Sequence, residues 1–346
     1  MQKRFTVTPY RGFEREVLRL RNQTRSRQRD RAYLDWRYLG QESGREPMIF
    51  WVYADGRPVG MAGGIFRPYL VAAQRRLVLV IGDISLLPEF RGTGLVDELF
   101  QFVNSQIRAR GIDCALVIPN VPARKVLERN GWQKGEDLVH HVLYLRPWQR
   151  FSAMIPVQPL ARLAGLFYLA WIRIHLAGIN LNGYALRRTT GYGDEFNRFW
   201  ERYRKEGLCM KEMTADFLAW RYGQHPDAAE SFLTYTCHRG DDLVGYLVCR
   251  PDSAEPVCTI CDILAIDPAS CLALLKLVIR EMRTRPDMEA LRFVLNAHNR
   301  VAALLRRAGF SPRQEETLFQ LFFAQGDAAS LPASCSWYVS SGDKDV

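Results

Sequence analysis

The chain repeats itself in order, and this limits its fold more than any single motif does. AYLDWRYLGQ (32–41) resembles DFLAWRYGQH (216–225), the two sharing Leu-x-Trp-Arg-Tyr. YADGRPVGMAG (53–63) resembles HRGDDLVGYLV (238–248), with Gly60 opposite Gly245. VIGDISLLPE (80–89) resembles TICDILAIDP (259–268), with Asp83 opposite Asp262. NVPARKVLERNGW (120–132) resembles HNRVAALLRRAGF (298–310), with Gly131 opposite Gly309. Segments recurring in one order imply two copies of one fold. A chain of 346 residues is long enough for two domains with separate cores. The reading divides it into a first copy (1–150), an apolar linker helix (151–187), a second copy (188–326) and a tail (327–346).

Within the first copy, residues 4–9 read as a strand and 12–40 as largely helical. Asp55-Gly56 suits a tight hairpin turn inside 48–66. The stretch 81–101, IGDISLLPEFRGTGLVDELFQ, reads as a buried strand, a glycine turn and a helix that starts on the turn. Leu95, Leu99, Phe102, Val103 and Ile107 give that helix an apolar stripe. CALVIP (114–119) is a short strand, 121–130 a helix stopped by Gly131, and 138–147 a closing strand. The pattern is α+β, a mixed sheet with helices packed on it. Gly92 and Gly94 let the backbone turn tightly and approach a ligand. The first amides of the following helix lack partners and carry the positive end of its dipole. With Arg91 beside them, they make a place for a phosphate or pyrophosphate. The second copy reads ASCLALLKLV after Pro268 and has lost the Arg-Gly-x-Gly turn. It is expected to be structural, or to shape an acceptor site.

Composition narrows the partners. Hydrophobic residues at 48% and charged residues at 24% exclude a disordered chain. A formal charge of +10 favours acidic partners, namely a polyphosphate cofactor, an acidic carrier protein, an anionic membrane surface or nucleic acid. No recognition motif accompanies the charge, which argues against nucleic acid. Part of the excess is the run Arg19, Arg21, Arg25, Arg27, Arg29 and Arg31, read either as a solvated face or as a docking site. The eight cysteines, with no apolar secretory segment before them, read as reduced, buried thiols of a cytoplasmic protein. Cys258 and Cys261 form the only CxxC, without a second ligand pair, so no metal site is expected. Segment 152–181 is apolar, but Arg162, Arg173 and His175 interrupt it, and its core Leu163–Ile172 is too short to span a bilayer. It reads as a helix between domains, or as one lying on a membrane or partner through 160–181.

Pro88, Glu89, Phe90, Arg91, Gly92, Gly94 and Leu95 follow the form P-E-Y-R-G-x-G-I/L, and Asn120, Ala123, Gly131 and Trp132 follow an Asn–helix–Gly-Phe segment. On these residues the first copy resembles the GNAT superfamily of acyl-CoA-dependent N-acyltransferases, well over 4–147 and weakly, in the second copy, over 190–325. The resemblance implies two tandem GNAT-like mixed-sheet domains and a splay between the fourth and fifth strands that holds pantetheine. It implies that the backbone at Leu86 and Leu87 pairs with pantetheine amides. The amides of Arg91, Gly92, Thr93, Gly94, Leu95 and Val96 would hold the pyrophosphate, and Asn120 would lie near the thioester. The donor would be acetyl-CoA or another acyl-CoA, and the acceptor a small or carrier-linked amine.

An acylated amine must lose a proton. Asp83 is the best-placed carboxylate, as base or as a residue that fixes a loop. Many family members carry a tyrosine as acid where this chain has Leu127, and Tyr144 is the substitute considered. Tyr33 with Trp36, and Phe217 with Trp220, share helix faces and suit a core, although Arg37 and Arg221 could bind an acidic acceptor. Three functions stay open. The chain is an N-acyltransferase, specifically an N-acetyltransferase; or its donor is an acyl carrier protein docked on the arginine run; or it is a non-catalytic tandem protein that binds acyl-CoA or a partner.

Overall fold

Apolar and β-branched residues dominate 48–54, 58–66 and 77–81, and they build neighbouring strands on the first-copy side of one large sheet. The computed structural model describes residues 2–40, 44–71, 74–204, 208–226, 232–324 and 336–343, side chains of 314–318 excepted. Strands β1 (Lys3–Pro9), β2 (Met48–Ala54), β3 (Arg57–Val71) and β4 (Gln74–Leu86) form an antiparallel meander. Helices α1 (Glu14–Thr24) and α2 (Arg31–Leu39) interrupt it after β1. The β2–β3 turn is Asp55-Gly56, both with positive φ, as a two-residue hairpin with the sheet's twist requires. Helix α3 (Leu95–Ala109) then leads to β5 (Cys114–Val117), parallel to β4. Helix α4 (Val121–Arg129) and strand β6 (Gln133–Tyr144) follow.

A helical hairpin, α5 (Trp148–Met154) and α6 (Gln158–Ala177), separates this half from β7 (Tyr184–Thr189). The second half contains α7 (Asp194–Tyr203), β8 (Leu208–Lys211), α8 (Ala215–Leu218), β9 (Leu233–Arg239), β10 (Asp242–Pro251) and β11 (Val257–Ala265). It ends with α9 (Pro268–Thr284), β12 (Ala290–Asn296), α10 (Arg300–Arg307), β13 (Ser311–Phe323) and the short β14 (Ser336–Trp337). The order matches the first half: meander, helix, parallel strand, helix, long strand. The chain is α+β, with two tandem copies of one mixed-sheet fold.

The copies share a sheet because they exchange their last strands. The path runs β1-β2-β3-β4-β5-β13-β6-β12-β11-β10-β9-β7. Strand β6 lies against β12 of the second copy, and β13 lies against β5 of the first. Boundaries at 150 and 188 therefore divide the chain but not the sheet. The repeated Leu-x-Trp-Arg-Tyr segments meet at the centre. Trp36 Nε1 donates to the Trp220 carbonyl (2.8 Å), Trp220 Nε1 donates to the Trp36 carbonyl (2.9 Å), and the rings stack at 5.2 Å. Core packing is thus the role of the tryptophans.

Two expectations change. The apolar segment forms one continuous helix, α6, of 20 residues, long and apolar enough by length and composition to cross a membrane. One face of it packs on the protein through Ala161, Gly165, Ile172 and Leu176, with Trp148 of α5 against Gly165 and Ile172 against Gly309. Among the cysteines, Cys114, Cys237, Cys249, Cys258, Cys261 and Cys271 are free and buried, but Cys209 is disulfide-bonded. Cys335 lies outside the described residues.

Candidate active site

Pairing of β4 with β5 ends at Ile81 and Val117. Beyond that point β4 runs on beside β3 while the chain after β5 turns away toward α4, and a cleft opens between them. Two connected cavities fill it. The outer one, about 610 Å³, lies between the end of β4, the glycine turn and α4. The inner one, about 370 Å³, lies deeper between β4 and β5. Arg25, Ile84, Asn120 and Ala123 line both.

The glycine turn forms the outer wall. Gly92 and Gly94 have φ of 76° and 81°, a left-handed region that favours glycine. Thr93 Oγ1 donates to the Phe90 carbonyl (2.7 Å) and tightens the turn. The Arg91 amide donates to the Pro88 carbonyl. The amides of Gly92, Thr93, Gly94, Leu95 and Val96 make no backbone hydrogen bond among the described residues. Gly94 is the N-cap of α3 and offers no side chain to them. As the first amides of a helix they carry the positive end of its dipole. Arg91 lines this cavity, as does Arg129, which pairs with Asp97 at 3.0 Å. Thus the residues expected to hold the pyrophosphate lie together at Arg91 to Val96, on the wall of the outer cavity.

The other expected cofactor residues separate. The Leu87 amide donates to the Val59 carbonyl and the Leu87 carbonyl accepts from Phe90, so Leu87 faces β3 and not the cleft. Strand alternation turns the neighbouring Leu86 backbone toward the open side, and Leu86 lines the outer cavity. Asn120 caps α4, its side-chain oxygen accepting from the Ala123 amide (3.1 Å) at the junction of the cavities.

Asp83 sits at a bulge in β4, with φ of 46°. It is 6% exposed and fully engaged: Arg21 Nε at 3.2 Å, Arg37 Nε at 2.8 Å, and the Tyr38 hydroxyl donating at 3.0 Å. Burial alone would raise its pKa, but the nearby Arg37 and Arg21 charges outweigh burial and lower it. A carboxylate held ionised by two guanidiniums is a weak proton acceptor, and its geometry is that of an anchor for α1 and α2. Tyr144 lies away from the cleft. It lines neither cavity, and its ring packs edge-on against Tyr168 of α6 at 6.0 Å. That placement separates it from Asn120, Asp83 and the glycine turn. Leu127 is fully buried in the apolar cluster under α3, so the family's usual acid position faces the core here. Among the described residues, no His, Cys, Tyr or Glu lines either cavity.

The second copy has closed its own cleft. Helix α9 is capped by Asp267, whose carboxylate accepts from the Ser270 amide (2.8 Å), so a negative charge occupies the place of an anion. The chain after β14 lies in the splay between β11 and β12. The Tyr338 hydroxyl bridges the Ile263 amide and carbonyl (3.0 and 3.1 Å), and Ser341 Oγ accepts from the Val294 amide (3.1 Å). A Cβ on Gly342 would lie 2.4 Å from Asp262, so only glycine fits there. Residues 336–343 are a plug, where the sequence read as a tail. Asp343 ends this plug, pairs with Lys211 (2.9 Å) and lines the inner cavity of the first copy.

Sequence reasoning missed several lining residues. Ser85 presents a buried hydroxyl with no partner among the described residues, and Arg67 places a guanidinium in the inner cavity. A charge inside the apolar strand GGIFRPYLV was the available signal for Arg67.

An open parallel strand pair, a glycine turn and a helix beginning on it together form the cleft of the first copy. A sequence model described as the acetyltransferase (GNAT) family matches residues 13–132. No curated protein sequence matches the chain. Solved structures resemble it in fold. A GCN5-related N-acetyltransferase from Anabaena variabilis aligns with TM-score 0.65 at 12% identity, covering 93% of this chain and 73% of that one. A tandem GNAT protein from the clavulanic acid biosynthesis pathway aligns at 0.54 and 14%, covering 94% and 100%. Saccharomyces cerevisiae N-myristoyltransferase with bound myristoyl-CoA aligns at 0.54 and 11%, covering 92% and 82%. Sequence likeness to the GNAT acetyltransferase family thus covers residues 13–132, and likeness of fold to a tandem GNAT protein covers 94% of the chain.

Proposed function

We propose that the protein transfers an acyl group from acyl-CoA to an amine, and that the first copy alone holds the donor. The unsatisfied amides of Gly92 to Val96 at the mouth of the outer cavity carry this reading. They would bind the pyrophosphate, the Leu86 edge would pair with pantetheine, and the thioester would lie near Asn120, where the cavities join. Holding donor and acceptor together supplies much of the rate. Among the described residues no His, Cys, Tyr or Glu lines either cavity, and in this reading the amine's proton passes to water. Release of CoA thiol from acetyl-CoA and longer acyl-CoAs, measured with a panel of amines, tests the reading. Amine-dependent thiol release is expected. Donor binding without turnover on any amine would instead favour a non-catalytic binder. A carrier-protein donor is a second reading, favoured by Arg25 and Arg27, both exposed, with Arg25 at the cleft mouth. Charge reversal of Arg27, which lines neither cavity, would then weaken use of a carrier and spare free acyl-CoA.

We also infer that α6 rests on an anionic membrane surface. Its outward face presents Leu163, Leu166, Phe167 and Ile174, which are 49%, 58%, 67% and 72% exposed. A helix apolar on its solvent side needs a cover. From 138 to 193 the chain contains Arg146, Arg150, Arg162, Arg173, Arg187 and Arg188 but no acidic residue, which complements anionic lipid. The packed face of α6 would have to leave the protein for the helix to span, so it lies flat. Phe167→Glu with Ile174→Glu should lower binding to phosphatidylserine vesicles at least about tenfold. Unchanged vesicle binding, or a wild-type dimer that the double variant dissolves, would count against a lipid surface.

A further inference from the structure

Arg67 is the one buried cation of the inner cavity that has no counter-ion among the described residues. It lies in β3, is 4% exposed, and makes no hydrogen bond or ion pair there, its Nε being buried without a partner. Its guanidinium lies over the Trp220 ring at 5.2 Å. The nearby acids are committed elsewhere: Asp83 to Arg21 and Arg37, Asp262 to Lys211, and Asp343 to Lys211. Counting these buried side chains, Arg21, Arg37, Arg67, Lys211 and Arg221 stand against Asp83, Glu212, Asp262 and Asp343, an excess of one positive charge even before Glu212 is assigned to the exposed Arg75. Burial, together with the Arg221 charge, pushes Arg67 down to about 10, which shows how poorly its charge is accommodated. An isolated buried charge costs several kcal/mol unless something neutralises it.

Arginine is the residue suited to such a task. Its planar fork matches a carboxylate with two parallel hydrogen bonds, and the apolar walls at Val80 and Leu116 strengthen that attraction. Asp83 and Asp343 also line the cavity, and they would repel a dianionic phosphate more than a single carboxylate.

We propose that the inner cavity binds a carboxylate borne by one of the two substrates, gripped by Arg67. This deepens the acyltransferase reading and rests on it. The carboxylate arrives either on the acyl group, as in a dicarboxylic monothioester, or on the acceptor, as in an amino acid. Arg67 is thus a specificity residue, remote from the pyrophosphate site.

The test combines binding and turnover with the full chain and Arg67→Met. Succinyl-CoA and butyryl-CoA differ mainly in the terminal carboxylate. If the acyl group carries it, the wild type binds succinyl-CoA at least about tenfold tighter than butyryl-CoA, and Arg67→Met removes that preference. If the acceptor carries it, the two bind alike, but acetyl transfer to amino acids exceeds transfer to their decarboxylated amines, again only with Arg67 present. Arg67→Met should keep its acetyl-CoA affinity and melt at or above the wild-type temperature, since it removes an unpaired buried charge. Absence of both preferences, or their persistence in Arg67→Met, overturns the proposal. So does a clear fall in melting temperature, which would reveal a structural cation. Failure of the wild type to bind acetyl-CoA would bring down the underlying acyltransferase reading as well.

Discussion

Replacing Asp83 with Asn should destabilise the protein by about 3–5 kcal/mol, the usual effect of removing one partner from a buried ion pair. The variant leaves the buried Arg21 and Arg37 without their carboxylate. Those residues stand in α1 and α2, so the loss loosens both helices over the cleft. A melting temperature lower by roughly 5–10 °C is expected in calorimetry. The pH dependence follows from the sign of the shift. Folding lowers the Asp83 pKa, so its contribution is fully present above its unfolded value and fades as pH falls through the folded one. The stability gap between wild type and Asp83→Asn should therefore be constant from about pH 5 to 7 and shrink toward about pH 3. A gap that grew on acidification would mean that Asp83 is protonated in the fold. A variant as stable as the wild type but devoid of turnover would return Asp83 to the role of base.

The second large effect lies at the turn. Gly94→Val should weaken acetyl-CoA binding by roughly a hundredfold, while leaving the melting temperature within a few degrees. A Cβ at Gly94 would meet nothing within 4 Å, so crowding is not the reason. The reason is φ of 81°, which a β-branched residue does not hold. Once the backbone leaves that conformation, the amides of Gly92 to Val96 no longer converge. Each hydrogen bond to a charged group contributes about 1.5–3 kcal/mol, so losing one or two accounts for the effect. Asn tolerates the left-handed region, and Gly94→Asn should keep most of the affinity. Isothermal titration of the three proteins checks the order. Equal affinity in Gly94→Val and wild type would remove the turn from the cofactor site.

Features carried by local sequence were readable. Gly92 and Gly94 announce a turn because few residues adopt its backbone, and Leu95 to Ile107 announce the helix by spacing. The order of repeated segments revealed the tandem fold. Contacts made between distant segments were not readable. Nothing in 311–323 or 133–144 indicates that β13 and β6 change places, since strand exchange preserves the local pattern of both. Asp83 looked like a candidate base because Arg21 and Arg37 lie far from it in the chain. The paired glycine–serine stretch at Ser340–Gly342 read as a tail, although it seals the second cleft. Tyr144 has the chemistry of an acid, but its place on β6 beside α6 rests on packing that no local pattern shows.

The central claim is one donor site in a chain built from two copies. Calorimetric titration of the purified protein with acetyl-CoA measures it directly through stoichiometry. One acetyl-CoA per chain, lost in Gly94→Val, is the predicted result. Two per chain would show that the plug at 336–343 yields to ligand, and none would show that the glycine turn does not hold a coenzyme A donor.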